Sequence, residues 1–345
     1  MPSPIPPRDR VVYFIGAGLS SAFRLPNTPS LVSQAIDFSK SARGAWLRDE
    51  DFKQKLDRAF KFFYPDASHP GFQPDVVDFF SALRTYLDVG AGLVGTGFAD
   101  APDLYRLLRR AIAHLLIERM RQIDPQSFSE HPFLQEMVQP GHIIITSNWD
   151  FLIEYFASLN GIPLRLTSRT RHFPTNEVAL LKLHGSIDWC QVSSRVPHHN
   201  DEDFAHLKEL QFGPRTYRHA LPTESSEIVR IRSLPINTAW QRLKTRSREP
   251  YMVTMVTGKA DDLGPLREVW RDAYRALSRA AKVEIVGYSM PADDVEIRTI
   301  LRTGIQRGSI TPTLIVRNPA PDVHHRVRNF LDRAAKSDYL PIPGC

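Results

Sequence analysis

The chain has 345 residues, of which 42% are hydrophobic and 24% are charged, and its formal net charge is +6. This composition is typical of a soluble globular protein with a large core. The mild basic excess permits contact with phosphates or nucleic acid without requiring it. No stretch approaches the roughly 20 apolar residues that span a bilayer, so we expect no membrane segment.

Cysteine usage and the N-terminus indicate a reducing compartment. Only Cys190 and Cys345 are present. Two widely separated thiols favour neither a disulfide framework nor a zinc knuckle. The segment from Met1 to Arg10 is polar and rich in proline, and it lacks the apolar core of a signal peptide. We therefore expect a cytoplasmic protein.

The first part of the chain combines one buried strand with a block of helices. The apolar run Val11–Ile15 predicts the strand. Apolar residues at helical spacing follow, and a glycine-rich connection interrupts them. We interpret residues 42–140 as a helical insertion between two strands of a sheet. The predicted helices are Thr28–Lys40, Trp46–Phe63, Pro74–Leu87 and Pro102–Gln122, and the connection is Gly90–Gly97.

From Gly141 onward, apolar runs alternate with helical patterns. Alternating strands and helices predict an α/β fold, with a mostly parallel sheet covered by helices on both faces, in one domain over residues 1–345. Residues 193–238 are polar and lack a clear pattern, so we treat them as a variable segment. The predicted strands are His142–Thr146, Val178–Leu183, Tyr251–Thr257, Val283–Val286 and Thr313–Val316, and the helices are Asn148–Leu159, Leu266–Ala280, Ala292–Arg302 and Pro321–Ala334.

Polar groups stand at the ends of several predicted strands. In an open α/β sheet, ligands bind outside the carboxyl ends of the strands. Asn148 and His184 each follow such a strand, and Gly287-Tyr288-Ser289 follows another. Taken singly, Asn148 could be a turn residue and His184 a buried histidine satisfied by backbone groups, while Asp150 could cap a helix. Their coincidence at the strand ends favours a shared site.

A glycine-rich turn follows the first strand. Gly16 and Gly18 would permit a tight turn and a close approach to a pyrophosphate, with Ser20 or Ser21 capping the next helix. However, Ser21 replaces the third glycine of the dinucleotide fingerprint, and no acidic residue closes the next strand. A tight strand–helix turn that binds nothing fits these residues equally well.

Five short segments together resemble the sirtuin family, and more closely its bacterial sirtuin-like branch from antiphage defence. They occur in the family's order and span most of the chain, although few residues between them match. The segments are Gly16-Ala17-Gly18-Leu19-Ser20 with Leu25-Pro26 downstream, Thr146-Ser147-Asn148-Trp149-Asp150, Lys182-Leu183-His184-Gly185-Ser186, Gly287-Tyr288-Ser289-Met290-Pro291 and Val316-Arg317-Asn318.

The resemblance implies a Rossmann-like domain that binds NAD, and it assigns a role to each matching residue. Catalytic roles are carried over for Asn148 and His184, and Asp150 would shape the nicotinamide side. The other implied contacts are Gly16, Ala17, Gly18 and Ser20 with the phosphates, and Gly287, Ser289 and Asn318 with the ribose–adenine half.

The chain departs from sirtuin deacylases where their zinc module would stand. That module needs two pairs of cysteines after the catalytic histidine, and this chain has only Cys190 there. We therefore expect no bound metal and no ordinary groove for an acyl-lysine peptide. Four histidines in the variable segment have no zinc-finger spacing, and we interpret them as surface residues: His198, His199, His206 and His219.

The resemblance and the missing module together predict an NAD+ hydrolase that yields nicotinamide and ADP-ribose. An NAD-dependent protein deacylase and a non-catalytic module that binds NAD or ADP-ribose remain alternatives. The resemblance also implies a role as an antiphage effector, beside a HerA-like ring ATPase or a short Argonaute. We expect a homo-oligomer, with the helical insertion either forming a contact surface or roofing the pocket. Trp270 is predicted to be a core residue.

Overall fold

A computed structural model describes most of the chain. The described residues are 10–39, 50–64, 75–89, 101–166, 173–193, 228–230, 247–254, 263–264, 266–308, 311–331, 335–340 and 342. The predicted connection over 90–97 and most of the variable segment 193–238 lie outside these ranges, as do the four histidines of that segment.

The described residues include ten strands and eleven helices. The strands are β1 (Val11–Ile15), β2 (Ile143–Thr146), β3 (Leu164–Arg165), β4 (Val178–Lys182), β5 (Gly185–Ser193), β6 (Ile228–Arg230), β7 (Ser247–Met252), β8 (Lys282–Val286), β9 (Thr313–Arg317) and β10 (Ala335–Leu340). The helices are α1 (Ala17–Ala22), α2 (Thr28–Ser39), α3 (Glu50–Phe63), α4 (Val76–Val89), α5 (Ala101–Arg121), α6 (Pro125–Ser129), α7 (Pro132–Met137), α8 (Leu152–Leu159), α9 (Arg267–Ser278), α10 (Val295–Gln306) and α11 (Pro321–Phe330).

Seven strands form one sheet in the order β10-β9-β8-β1-β2-β4-β3, and every neighbouring pair is parallel. All five residues of β1 are buried, as expected for the central strand of such a sheet. The chain builds outward from β1 through β2 and β4, and later returns to the other side of β1 with β8. Because parallel crossovers are right-handed in general, connections that leave β1 in opposite directions are expected to put helices on both faces. The parallel sheet that reverses its order at β1 confirms the predicted Rossmann-like α/β class.

A second, antiparallel sheet of order β6-β5-β7 was not predicted. The prediction of a strand over Tyr251–Thr257 is wrong in its bounds, since β7 ends at Met252. Strand β5 begins immediately after His184, at Gly185, whose φ is +77°. A Cβ atom there would lie 2.2 Å from the Tyr251 carbonyl oxygen, so only glycine permits this turn between the two sheets.

The helix after β2 begins at Leu152 rather than at the predicted Asn148. Residues 147–151 instead form a loop at the carboxyl end of the strand. The short helices α6 and α7 were also missed, although each has proline at its start and Asp124 caps the first through the Ser127 amide. The remaining predicted helices differ from the observed bounds by a few residues at either end.

Strands β1 and β8 form the point where the order of the sheet reverses, and the turns after them pack directly together. The Gly16 amide donates to the Val286 carbonyl at 3.0 Å, and the Gly18 amide donates to the Gly287 carbonyl at 2.7 Å. A Cβ atom on Gly18 would lie 2.7 Å from the Gly287 Cα atom. Gly287 itself has a φ of +62°. The backbones meet because neither turn carries a side chain there.

We expect Gly18→Ala to lower the free energy of unfolding by about 1–3 kcal/mol, because the added methyl group forces two backbone segments apart. Gly264→Ala is the matched control, since a Cβ atom at Gly264 meets nothing within 4 Å. Urea unfolding of both variants checks this. Equal stabilities would contradict the close backbone contact.

His142 gives the fold a pH dependence. Its Nδ1 atom accepts a hydrogen bond from the Val11 amide at 3.1 Å, and burial lowers its pKa to about 4. The unfolded chain therefore binds this proton more readily, and stability falls as pH drops from about 6.5 to about 4. We expect His142→Phe to remove roughly 1–3 kcal/mol of that pH dependence. Unfolding at pH 7 and pH 4.5 measures it, with exposed His325→Ala as the control.

Candidate functional site

All ten residues singled out in the sequence lie at one edge of the parallel sheet. They follow the carboxyl ends of β9, β8, β1, β2 and β4, which are consecutive neighbours. Five adjacent strands cover roughly 19 Å at about 4.8 Å per spacing. The edge therefore forms a continuous row of loops, in which Asn148 and His184 follow adjacent strands. This is the place where open α/β sheets bind ligands.

Asn148 is held in a fixed orientation by its amide nitrogen. That nitrogen donates to the Gly16 carbonyl at 3.0 Å and to the Ser20 hydroxyl at 2.9 Å. Because a carbonyl can only accept, the atom facing Gly16 must be the NH2 group. Both amide hydrogens are thus used inside the protein. In the described part of the chain no group donates to the Asn148 Oδ1 atom, which leaves a rigid acceptor.

Ser20 and Asp150 complete this network. The Ser20 hydroxyl donates to Asp150 Oδ2 at 2.7 Å while it accepts from Asn148. Asp150 Oδ1 accepts from the Leu152 amide at 3.0 Å, so the carboxylate also caps the turn into α8. Ser20 is only 3% exposed. Its hydroxyl therefore orients Asn148, whereas the resemblance implied a contact with phosphate.

The glycine turn also differs from a preformed phosphate cradle. The amides of Gly16, Gly18 and Leu19 all donate to backbone carbonyls of the protein. Gly16 caps α1 without a side-chain hydrogen bond, so the prediction of a Ser20 or Ser21 cap is wrong. The Ser21 hydroxyl donates instead to the carbonyl of Ala17. Close packing against the turn after β8 is enough to explain both glycines.

A buried ion pair supports the loop that carries Asn148. Lys182, the last residue of β4, donates to Glu154 of α8 at 2.9 Å and to the backbone carbonyl of Asp150. The side chains of Lys182 and Glu154 are 0% and 2% exposed. The sequence pattern did not single out this pair, although a lysine closing an apolar strand and a glutamate inside an apolar helix are unusual signals.

His184 lies in the turn between β4 and β5 and is 3% exposed. Its carbonyl accepts from the Val253 amide at 2.9 Å, which fixes the backbone beneath the ring. The indole of Trp270 lies beside it, with ring centroids 6.2 Å apart. Trp270 is only partly buried, and its Nε1 donates to the Leu183 carbonyl at 3.0 Å. It therefore borders the histidine and packs against the edge of the hydrophobic core, so the prediction of a core residue is right only in part.

Thr146 joins the asparagine loop to the histidine loop. Its hydroxyl donates to the Ile15 carbonyl at 3.2 Å and accepts from the Asn148 amide at 3.0 Å. Its carbonyl accepts from the Leu183 amide at 2.8 Å. One residue thus ties together the ends of β1, β2 and β4, and limits how far Asn148 and the histidine turn can separate.

Two residues assigned to the ribose–adenine half, Ser289 and Asn318, lie apart from this network, whereas Gly287 packs against Gly18. Ser289 is exposed, and the Asn318 side chain accepts from the Ala320 amide at 3.0 Å in the loop that precedes α11. The Gly287 amide donates a hydrogen bond to the Arg317 carbonyl at 2.9 Å. The structure therefore gathers Gly16, Ser20, Asn148 and Asp150 into one hydrogen-bonded group. It leaves Ser289 and Asn318 two and three strands away from β2.

The described residues contain neither a metal-binding cluster nor a membrane-spanning helix. Within them, no group of three or more His, Cys, Asp or Glu side chains is arranged to hold a metal ion. The side chain of Cys190 lies outside this description. Among the described helices, none combines the length and apolar character needed to cross a membrane.

Comparisons with known proteins do not assign the chain to a family. No model of a known protein family matches the chain, and no curated protein matches it. A solved structure described as "The Structural basis for Sirtuin Substrate affinity" aligns with 95% of this chain and 86% of its own, at 14% identity and a TM-score of 0.34. That similarity is too low to assign a family, and the Rossmann-like class rests on the strand order described above.

The Lys182–Glu154 pair predicts a large stability effect. Lys182→Met leaves a buried carboxylate without its cation, and we expect a loss of about 3–5 kcal/mol. The double variant Lys182→Met/Glu154→Leu should recover much of this loss, because it removes both charges. Arg165→Met is the control, since Arg165 pairs with Glu177 but is partly exposed, and should cost no more than about 1 kcal/mol. Chemical unfolding measures these losses. Equal losses of unfolding free energy in Lys182→Met and Arg165→Met would contradict the prediction.

Proposed function

We propose that the protein is an NAD+ hydrolase that releases nicotinamide and ADP-ribose. The orientation of the Asn148 carboxamide carries this proposal. Its NH2 group is bonded to Gly16 and Ser20, which leaves its oxygen as a fixed acceptor, and the loop that carries it follows the strand next to that of the histidine turn. A fixed dipole of this kind stabilises positive charge that develops in a transition state.

The reaction suits such a dipole because its transition state is an oxocarbenium-like ribose. The bond between the ribose C1′ atom and the pyridinium nitrogen breaks, and its electron pair goes to the nitrogen. Nicotinamide then leaves as a neutral molecule and needs no proton. Ordinary glycosides differ, since a carboxylic acid must protonate their leaving oxygen. The Asn148 oxygen would face the developing charge on the ring.

His184 would serve the second half of the reaction. A water molecule bonds to C1′ and must lose a proton, and a neutral imidazole is a suitable acceptor. Fixing the histidine turn against the asparagine loop favours the reaction, because orientation of the reacting groups accounts for a large share of enzymatic rate enhancement. Thr146 accepts hydrogen bonds from the Asn148 and Leu183 amides, and the Val253 amide donates to the His184 carbonyl; these bonds provide that fixation.

We further propose a cellular setting, which rests on the resemblance and on the chemistry. An unrestrained NAD hydrolase would deplete its own cell, so activity must be held back until a trigger arrives. A cytoplasmic homo-oligomer with a partner such as a HerA-like ATPase, or alternatively a short Argonaute, would provide that control in antiphage defence. Co-expression with the neighbouring gene product and mass measurement of the complex test the partner.

The activity is tested by nicotinamide release from NAD, using the chain alone and in its complex, with and without an acetyl-lysine peptide. We expect release without peptide, and a loss of about 10²–10⁴-fold in Asn148→Ala and His184→Ala. Asn160→Ala and His325→Ala are matched controls, since both residues are exposed. Release that requires the peptide would identify a deacylase instead. Binding of NAD without any turnover would identify a binding module.

A further inference from the structure

We propose that Tyr105, on helix α5 of the predicted helical insertion, is a positioning residue for Asn148 and His184. Its hydroxyl is bonded to Thr254, and the segment 253–254 in turn holds the two loops that carry these side chains. The catalytic consequence rests on the proposed function, whereas the mechanical link does not. The Tyr105 side chain does not contact either residue directly and acts through the segment between them.

Val253 is the residue where the two loops meet. Its amide donates to the His184 carbonyl at 2.9 Å, and its carbonyl accepts from the indole nitrogen of Trp149 at 3.1 Å. Trp149 directly follows Asn148 in the chain, and Val253 is 2% exposed. A shift of Val253 would therefore displace the backbone of the histidine and the neighbour of the asparagine together.

The segment 253–254 lies beyond the end of β7 and is not paired in its sheet. Thr254 is fully buried, and its hydroxyl shares a hydrogen bond with the Tyr105 hydroxyl, in which either atom can donate. The two residues are 149 positions apart in the sequence, so this is a tertiary contact between the insertion and the segment 253–254. It ties the segment to helix α5, while Val253 ties it to the two loops.

The tyrosine is well placed to act as a rigid anchor. Its ring is 8% exposed and packs edge-on against Phe80 of α4, with centroids 5.8 Å apart. Helix α4 packs on α5, so two helices of the insertion fix the position of the hydroxyl. The position of these helices is thereby transmitted to Val253, and from there to both loops. A displacement of α5 would therefore move the loops that carry Asn148 and His184.

The test uses single-atom changes. Tyr105→Phe removes only the hydroxyl, Thr254→Val removes the other partner, and the double variant completes a cycle. Tyr64→Phe is the control, since Tyr64 also donates from the insertion, to Asp78 at 2.8 Å, but at an exposed site. We expect Tyr105→Phe to lower kcat about tenfold, equivalent to about 1.4 kcal/mol, with KM for NAD changed less than about twofold. The double variant should be no slower than the slower single variant.

Amide hydrogen exchange provides a readout that does not depend on catalysis. We expect the Val253 amide to exchange faster in Tyr105→Phe and in Thr254→Val, and to be unchanged in Tyr64→Phe. Faster exchange in a chain that does not cleave NAD would support the mechanical link and reject the proposed hydrolase. Unchanged exchange at Val253 would overturn this inference. A fall in kcat for Tyr105→Phe that is no larger than that for Tyr64→Phe would also overturn it. So would a Tyr105→Phe variant that loses thermal stability but keeps its kcat.

Discussion

The candidate site depends on the two hydrogen bonds that fix the Asn148 carboxamide. An asparagine side chain on a loop would ordinarily rotate about its final torsion angle, and its oxygen would face no defined direction. Here Gly16 and Ser20 accept both amide hydrogens, and Asp150 in turn fixes the Ser20 hydroxyl. The oxygen is thereby oriented before any ligand arrives, which removes the cost of reorganisation during the reaction.

The turn after β1 is the rigid body from which this orientation is built. It contacts the asparagine loop on one side and the turn after β8 on the other, and Gly18 approaches the second turn so closely that no side chain fits. The amides of Gly16, Gly18 and Leu19 are occupied by contacts within the protein. The turn therefore contributes to the site by holding Asn148.

The sequence predicted this edge well and its internal contacts poorly. The apolar runs of β1, β2, β4, β8 and β9 are local signals, and the rule for parallel sheets then places their ends together. The role of Ser20 depends instead on Asp150, 130 residues later, and no local pattern records such a contact. Strand β5 was missed although Ser186 and Asp188 alternate with Ile187 and Trp189, a pattern typical of a strand. Both sets of side chains are buried in the structure.

The charges beside Asn148 bear on which chemistry this edge could support. Asp150 is occupied by Ser20 and by the Leu152 amide, and Glu154 is paired with Lys182. Neither carboxylate is free to contact a departing group, because each already accepts hydrogen bonds from donors within the protein. A substrate whose leaving group needs protonation would therefore have to take that proton from a group other than these two carboxylates. A pyridinium leaving group needs no proton. Both carboxylates can therefore keep their hydrogen bonds to the protein while it departs, which is compatible with the proposed cleavage of NAD.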